Sequence, residues 1–463
     1  MGETDRAGQF SSRVVVLFGG QLFGLVIGVV NGILLARLLG PAGKGNYALV
    51  VLVPSTAMVL IQLGLPQAFG YFAARGQTAG IVGKTFTLTA VLCLAAFAIL
   101  LVILPVLHET IFRGIELPLI LAGFLVLPLA LNATFTTGVV TGRQAVRLYI
   151  AVNMAASVAT LILLILILGG LGPSVLAALA VYLIASSIQT VGLVIGARRV
   201  STANPTPERV SYRELFSYGL PMYVGSLTSH FSYRIDVYLI ALLIADASAP
   251  LGFYSMAVSM AEMVFIFPGA VNTVFFPHVA GSSREDSDRQ VAQVSRVTLL
   301  LSALAAVLVA VLAAALFQFV LPAFADSMQP LLVLLPGVVA LSVGNVTAGY
   351  VTGIGRPGII SVIGLAAFAA NVVANLILIP PFGIVGAAAA SLVSYTLSSL
   401  LMTVAAARFA GSSMRAFWVP RRDDVRVVVV NGLGLLRRMR DGLTAGRGDR
   451  RSTVGRRGTD DLE

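Results

Sequence analysis

A thirteen-residue stretch concentrates charged and hydrogen-bonding groups in a chain otherwise built largely of apolar side chains, chief among them Ser226, His230, Tyr233, Arg234, Asp236 and Tyr238. Glu262 follows in the next apolar run. An ionisable group inside a membrane-spanning helix costs about 2.5–3.5 kcal/mol on insertion scales, so each one retained marks a partner or a wet cavity. At about 100° per residue, His230 and Arg234 share a helix face with Ser226 and Tyr238. Asp236 lies about 200° round from Arg234, so the two cannot pair within one helix. Arg234, with His230 beside it, is placed to meet an anion in a central cavity. Asp236 needs a partner on another helix, or a proton. Asp236 and Glu262 are the candidates for coupling to a proton or sodium ion, with pairing to Arg234 as the plainer role for Glu262. Arg37 and Lys44 flank an early turn, where they would meet an anionic headgroup or simply snorkel to the interface.

Lipid is the solvent against which these groups must be judged. Of 463 residues, 57% are hydrophobic and 11% charged, with a mean hydropathy of +0.94; an ordinary soluble domain carries about 25% charged residues. In lipid the backbone must satisfy its own hydrogen bonds, and long continuous apolar runs select helices over a β-barrel. Runs of the necessary length, about 20 residues, fall near 14–37, 46–69, 82–107, 117–140, 148–169, 174–197, 217–243, 252–279, 294–321, 329–353, 358–380 and 384–407. The expected fold is an all-α integral membrane protein with about twelve transmembrane helices. The first run lacks the features of a cleaved secretory signal and is expected to stay as an anchor. Gly20, Gly24, Gly28 and Gly32 give it a smooth face, for close helix packing or for bending. Amides within spans need partners. Asn31, Gln62, Asn272 and Asn345, with Tyr238, are candidates for lining a polar cavity, against the plainer reading of interhelical bonding.

The span pattern is written twice. Val140-Thr141-Gly142 returns as Val351-Thr352-Gly353, 211 residues on (351 − 140), and Gly45-Asn46-Tyr47 returns as Gly252-Phe253-Tyr254, 207 residues on (252 − 45). Six spans per half give two parallel six-helix repeats, an architecture that holds a site between halves able to rock about it. The expected divisions are an N-terminal segment 1–13, a first bundle 14–197, a linker 198–216, a second bundle 217–407 and a basic tail 408–463. Cytoplasmic loops accumulate Lys and Arg. Placing both termini inside puts fourteen basic residues before the tail on the inner side and only Arg37, Lys44 and Arg113 outside.

No phosphate-binding glycine loop, His/Cys metal cluster or nucleophile elbow occurs in the sequence. An enzyme, a metal site and a cofactor are therefore not expected. Cys93 is the one cysteine and reads as an apolar packing residue. The tail beyond Arg408 holds twelve basic and seven acidic residues. It reads as a solvated arm or as a segment drawn to anionic membrane lipid. Its few aromatic residues argue against nucleic acid as a partner.

Leu38-Leu39-Gly40-Pro41-Ala42-Gly43-Lys44-Gly45-Asn46-Tyr47 resembles the first-loop signature of bacterial polysaccharide flippases, members of the multidrug/oligosaccharidyl-lipid/polysaccharide exporter superfamily. Arg234-Ile235-Asp236, Gly252-Phe253-Tyr254-Ser255-Met256-Ala257, Ala261-Glu262, Phe276-Pro277 and Ile379-Pro380-Pro381-Phe382-Gly383-Ile384-Val385-Gly386-Ala387-Ala388 are similar to the same family, over residues 10 to 410. The resemblance implies a MATE-like pair of six-helix bundles around a central cavity. It implies a flippase of the bacterial plasma membrane that moves a polyprenyl-diphosphate-linked glycan by alternating access for cell-surface polysaccharide biosynthesis. Glycosyltransferases or a polymerase of the same pathway would be its partners. A diphosphate wants Arg, sugars want amides and hydroxyls, and a polyprenyl tail wants an apolar portal. Two other readings stay open: a cation-coupled multidrug or small-molecule antiporter, and a non-transporting scaffold of a polysaccharide assembly complex.

Overall fold

A computed structural model describes residues 3–202, 209–269, 271, 275, 279, 284–356 and 358–426. Every regular element among them is a helix. Leu94, Leu101, Val102, Phe319 and Val362 each leave 70% or more of their surface open. Apolar groups so exposed define a lipid-facing exterior.

The first half contains α1 (Glu3–Ile61), α2 (Leu65–Ala74), α3 (Ile81–Thr110), α4 (Leu117–Phe124), α5 (Leu127–Gly142), α6 (Val146–Leu163) and α7 (Val175–Thr202). The second contains α8 (Tyr212–Leu243), α9 (Ser248–Ala261), α10 (Arg284–Ala315), α11 (Met328–Gly353) and α12 (Gly358–Phe409). Helix α1 is broken at Gly40 (φ 67°, ψ 178°) and α12 at Gly383 (φ 56°, ψ −134°), so each supplies two spans. Nine segments of the described residues are long and apolar enough to cross a membrane. The two breaks, together with the polar 32-residue α8, give the expected twelve crossings, six in each half. Ser211 starts α8 with a reciprocal cap. Its hydroxyl accepts from the Glu214 N–H (3.2 Å), and its own N–H donates to Glu214 Oε2 (2.7 Å). That bond holds the Glu214 carboxyl below its ordinary range. The expected linker is thus shortened at both ends by helix.

The repeated motifs serve as helix stops and as an interface. After Val140-Thr141-Gly142 the Ala145 N–H returns to Val140 O at 3.0 Å, and after Val351-Thr352-Gly353 the Arg356 N–H returns to Val351 O at 3.1 Å. Both turns place one left-handed residue in the same register, Gln144 (φ 56°) and Gly355 (φ 80°). The repeated glycines face one another. A Cβ on Gly45 would lie 1.8 Å from Ser248 O, and one on Gly252 would lie 1.9 Å from Pro41 O. Positions 41 and 248, like 45 and 252, stand 207 apart, so each half makes on the other the contact it receives, as across a two-fold axis. At the end nearer the linker, Gly64 packs against Gly219 O (1.9 Å to a Cβ). There the Tyr71 and Tyr218 rings stack at 4.2 Å, and the Arg75 guanidinium covers Tyr71 at 4.9 Å. The halves therefore touch at both ends. The smooth face of α1 packs differently from the expectation of close helix contact. Gly20 meets Ile150, but a Cβ on Gly24, Gly28 or Gly32 would meet nothing within 4 Å.

The tail beyond Arg408 reads from sequence as a solvated arm or a lipid-drawn segment; its part through residue 426 folds back on α10, by way of α13 (Arg415–Trp418). Arg296 donates to Asp424 through Nε (2.5 Å) and Nη2 (3.1 Å), and to Ala416 O through Nη1 (2.5 Å). Phe417 is fully buried beside them. The physical reason is Arg296 itself: its side chain is 7% exposed and requires a counter-charge, which Asp424, 1% exposed, provides. Residues 427–463, the rest of the expected tail, lie outside the described residues.

Two outcomes follow from this packing. Gly45→Val should cost about 1–3 kcal/mol by overpacking in thermal unfolding in detergent, whereas Gly24→Val should cost little. Asp424→Ala should cost about 3 kcal/mol, because it leaves a buried arginine unpaired. Bonding to Arg296 holds the Asp424 carboxyl below its ordinary range. This contribution is therefore complete above the ordinary carboxylate range and is lost as pH falls through the lowered value; a wild-type and Asp424→Ala pair compared across acid pH reads it directly.

Candidate functional site

Between the two contact zones, α8 presents its polar face towards α1, α9 and α11. Arg234 Nη2 lies 3.3 Å from Glu262 Oε1, and the two side chains are 37% and 40% exposed. Glu262 opens a 3₁₀ turn (Glu262–Phe265) that follows α9, so its helix is distorted where the carboxylate emerges. Arg234 and Glu262, with His230, Tyr233, Phe265 and Asn345, surround a cavity of about 440 Å³. Of the expected anion-binding pair, both Arg234 and His230 thus face one cavity, four residues apart on one helix face.

A hydroxyl from the first half closes this face. Thr56 Oγ1 accepts from Tyr238 OH at 2.6 Å and lies 2.8 Å from His230 Nε2. One threonine on α1 thereby ties two turns of α8 across the boundary between halves. Nothing in the sequence singles out Thr56 from Ser55 beside it in an apolar run.

Asp236 points elsewhere. It is 3% exposed and buried within the second half, where Tyr254 OH and Ser391 Oγ (3.3 Å) donate to Oδ2 and the Val237 N–H donates to Oδ1 (2.9 Å). Its angular separation from Arg234 on α8 predicts the different direction; the partners come from α9 and α12. Tyr254 could have been found, since it is the last residue of the repeated Gly-x-Tyr. The first-half copy, Tyr47, meets the Tyr182 ring edge-on at 6.5 Å. In the second half that position has gained a carboxylate neighbour.

The remaining candidates separate. Lys44 is buried rather than snorkelling: it is 6% exposed, donates to Met256 Sδ at 2.9 Å and stands 5.7 Å from the Phe324 ring centre. With Gly28, Gly32, Met256, Met260 and Glu262 it lines a groove of about 260 Å³ between α1 and α9. Glu262 therefore borders both openings. Arg37 is exposed and apart from both. Asn31 donates to Ser157 O at 3.1 Å and so binds helices together instead of lining the cavity. Gln62 is buried at the end of α1 and lines neither opening. Asn345 does line the cavity. Asn272 lies outside the described residues.

This geometry belongs to a known fold. A solved lipid II flippase, MurJ in an inward closed conformation, superposes with a TM-score of 0.67 at 11% identity, over 84% of this chain and 87% of that one. An inward-facing multidrug resistance MATE family transporter of the MOP superfamily gives 0.63 at 13% identity, over 86% and 98%. The fold is the MATE-like pair of six-helix bundles. The model of the polysaccharide biosynthesis protein family matches residues 12–283, and the chain belongs to that family. A curated relative from Haloferax volcanii, the "Probable low-salt glycan biosynthesis flippase Agl15", is 26% identical over 216 residues, 46% of this chain. The match spans 45% of that protein's length.

Double-mutant cycles in thermal unfolding should separate the contacts. Thr56→Val with Tyr238→Phe should show a coupling of about 0.5–1.5 kcal/mol. Arg234→Ala with Glu262→Gln should show less than about 1 kcal/mol, the worth of a half-exposed pair.

Proposed function

We propose that this chain flips a polyprenyl-diphosphate-linked oligosaccharide across the bacterial plasma membrane by alternating access, feeding cell-surface polysaccharide biosynthesis. The observation that carries the reading is the half-exposed Arg234, paired with a single carboxylate at a cavity of the second bundle whose His230 is touched by Thr56 of the first. A diphosphate brings more negative charge than Glu262 and accepts the planar guanidinium fork, so it displaces the carboxylate. His230 supplies a further donor on the same face. The groove between α1 and α9, bordered by glycines and methionines, admits a flexible prenyl chain from the side. The substrate crosses unchanged, and no bond in it is made or broken.

Rocking is favoured by how the halves touch. At both ends the closest approaches, Gly45 on Ser248 and Gly64 on Gly219, are to backbone carbonyls, and parting the first also releases Lys44 from Met256 and Phe324. Asp236, held by Tyr254 and Ser391 inside the second bundle, is the coupling group: gaining a proton or cation there alters how α8, α9 and α12 pack. Glu262 acts first as the displaceable partner of Arg234. The excess of Arg and Lys on one set of loops supports a cytoplasmic position for both termini. Glycosyltransferases or a polymerase of the pathway supply and consume the substrate.

The buried Asp236 cluster favours one alternative, a cation-coupled antiporter of small molecules. Vesicles containing the purified chain and a fluorescent undecaprenyl-diphosphate sugar distinguish the two. The wild type should move the lipid between leaflets; Arg234→Ala should slow it at least about tenfold, Arg234→Lys less, and Asp236→Asn should abolish dependence on an ion gradient while leaving lipid binding intact. Wild-type rates in folded Arg234→Ala would remove the anion-binding role, and movement of small cations but not of the lipid would install the antiporter.

A further inference from the structure

A second cavity, of about 330 Å³, lies in the C-terminal bundle, lined by α8, α11 and both arms of α12. That places it at the lower end of ligand pockets, roughly 300–1,000 Å³. Among the described residues its wall contains no charged side chain. Hydroxyls dominate the polar part, and those of Ser232, Ser361 and Ser398 make no hydrogen bond to another group among the described residues. The ring of Tyr233, 5.9 Å from that of Tyr395, adds an aromatic surface. Tyr233 and Asn345 line this cavity and the Arg234 cavity alike, so the two chambers share a wall.

Amides of the first half are spent on neighbouring helices. Gln189 donates to Asn153 at 2.8 Å, Asn132 to Thr89 at 3.3 Å, and Asn31 to Ser157 O. Polar groups there hold helices together. In the C-terminal bundle, serine hydroxyls instead line a cavity.

We infer that this chamber is a subsite for the uncharged sugar nearest the diphosphate of the lipid-linked substrate; the inference rests on the flippase reading above. The chemistry of the substrate dictates the adjacency. The first sugar is joined through its anomeric carbon to the terminal phosphate, so wherever the diphosphate sits, a ring rich in hydroxyls sits beside it. A charge would find no partner in this wall, and a wholly apolar group would strand its free hydroxyls. A sugar ring satisfies both: its hydroxyls donate to and accept from serines, and its C–H face lies on the tyrosine ring. The size suits a single ring or a disaccharide, so the remainder of a longer glycan stays outside.

The test is equilibrium binding by the full chain in nanodiscs to three probes: undecaprenyl diphosphate alone, and the same lipid carrying glucose or N-acetylglucosamine. At least one sugar-bearing lipid should bind about tenfold more tightly than the bare lipid. Ser398→Leu and Ser232→Val, which fill the chamber, should erase that preference and leave bare-lipid affinity unchanged, which also reports a folded protein. Ser398→Ala with Ser361→Ala removes hydroxyls without adding bulk and should narrow the preference about fivefold per hydroxyl; it replaces any filling variant that loses the bare lipid. A wild type with no preference, or a preference that survives both kinds of variant, overturns the subsite while bare-lipid binding that depends on Arg234 keeps the flippase reading. Failure of the wild type to bind any of the three overturns both.

Discussion

The reciprocal contact of Gly45 on Ser248 and Gly252 on Pro41 is the constraint on which the rest of the molecule depends. It brings two helices to backbone distance and fixes the axis relating the halves. Every position between them then has a pseudo-equivalent in the other bundle. It also explains why the motif is repeated at all. An interface between like halves needs the same residue twice, and only glycine allows a carbonyl to come so near. Lipid gives little hydrophobic drive for joining helices, so packing of this kind must supply the association.

Symmetry of the frame throws the asymmetry of the chemistry into relief. The ionisable residues facing the interior come chiefly from α8 and α9, in the second half, while the first half answers with the neutral Thr56 and the buried Lys44. Tyr47 and Tyr254 occupy equivalent places, yet the second has a carboxylate to hold and the first only a ring to touch. A duplicated frame thus lets a single charged helix open one face to a cavity and bury the opposite face within its own bundle.

Much of the frame was legible in the sequence because its causes are local or periodic. Span lengths follow from bilayer thickness, and helix stops from the Val-Thr-Gly repeat. The split between Arg234 and Asp236 follows from two residues of helical rotation. What could not be read depends on who stands opposite. Thr56 is 174 residues from His230, and Ser391 is 155 from Asp236. Lys44 looked like an interface residue because its neighbours in sequence form a turn; its burial arises from Met256 and Phe324, far along the chain. Asn31 and Asn345 are indistinguishable as letters in apolar runs, and only the presence of Ser157 or of an open chamber beside them separates their roles.

The clasp between Arg296 and Asp424 sets the border of the folded membrane body by charge, where a hydropathy profile would draw it at the end of the last apolar run. A truncation designed on that profile would strand a guanidinium in the interior. The resulting loss of protein would then pass for proof that the arginine-rich extension works in transport. Grafts, fusions and deletions that begin beyond Asp424 avoid this confusion and probe the extension alone.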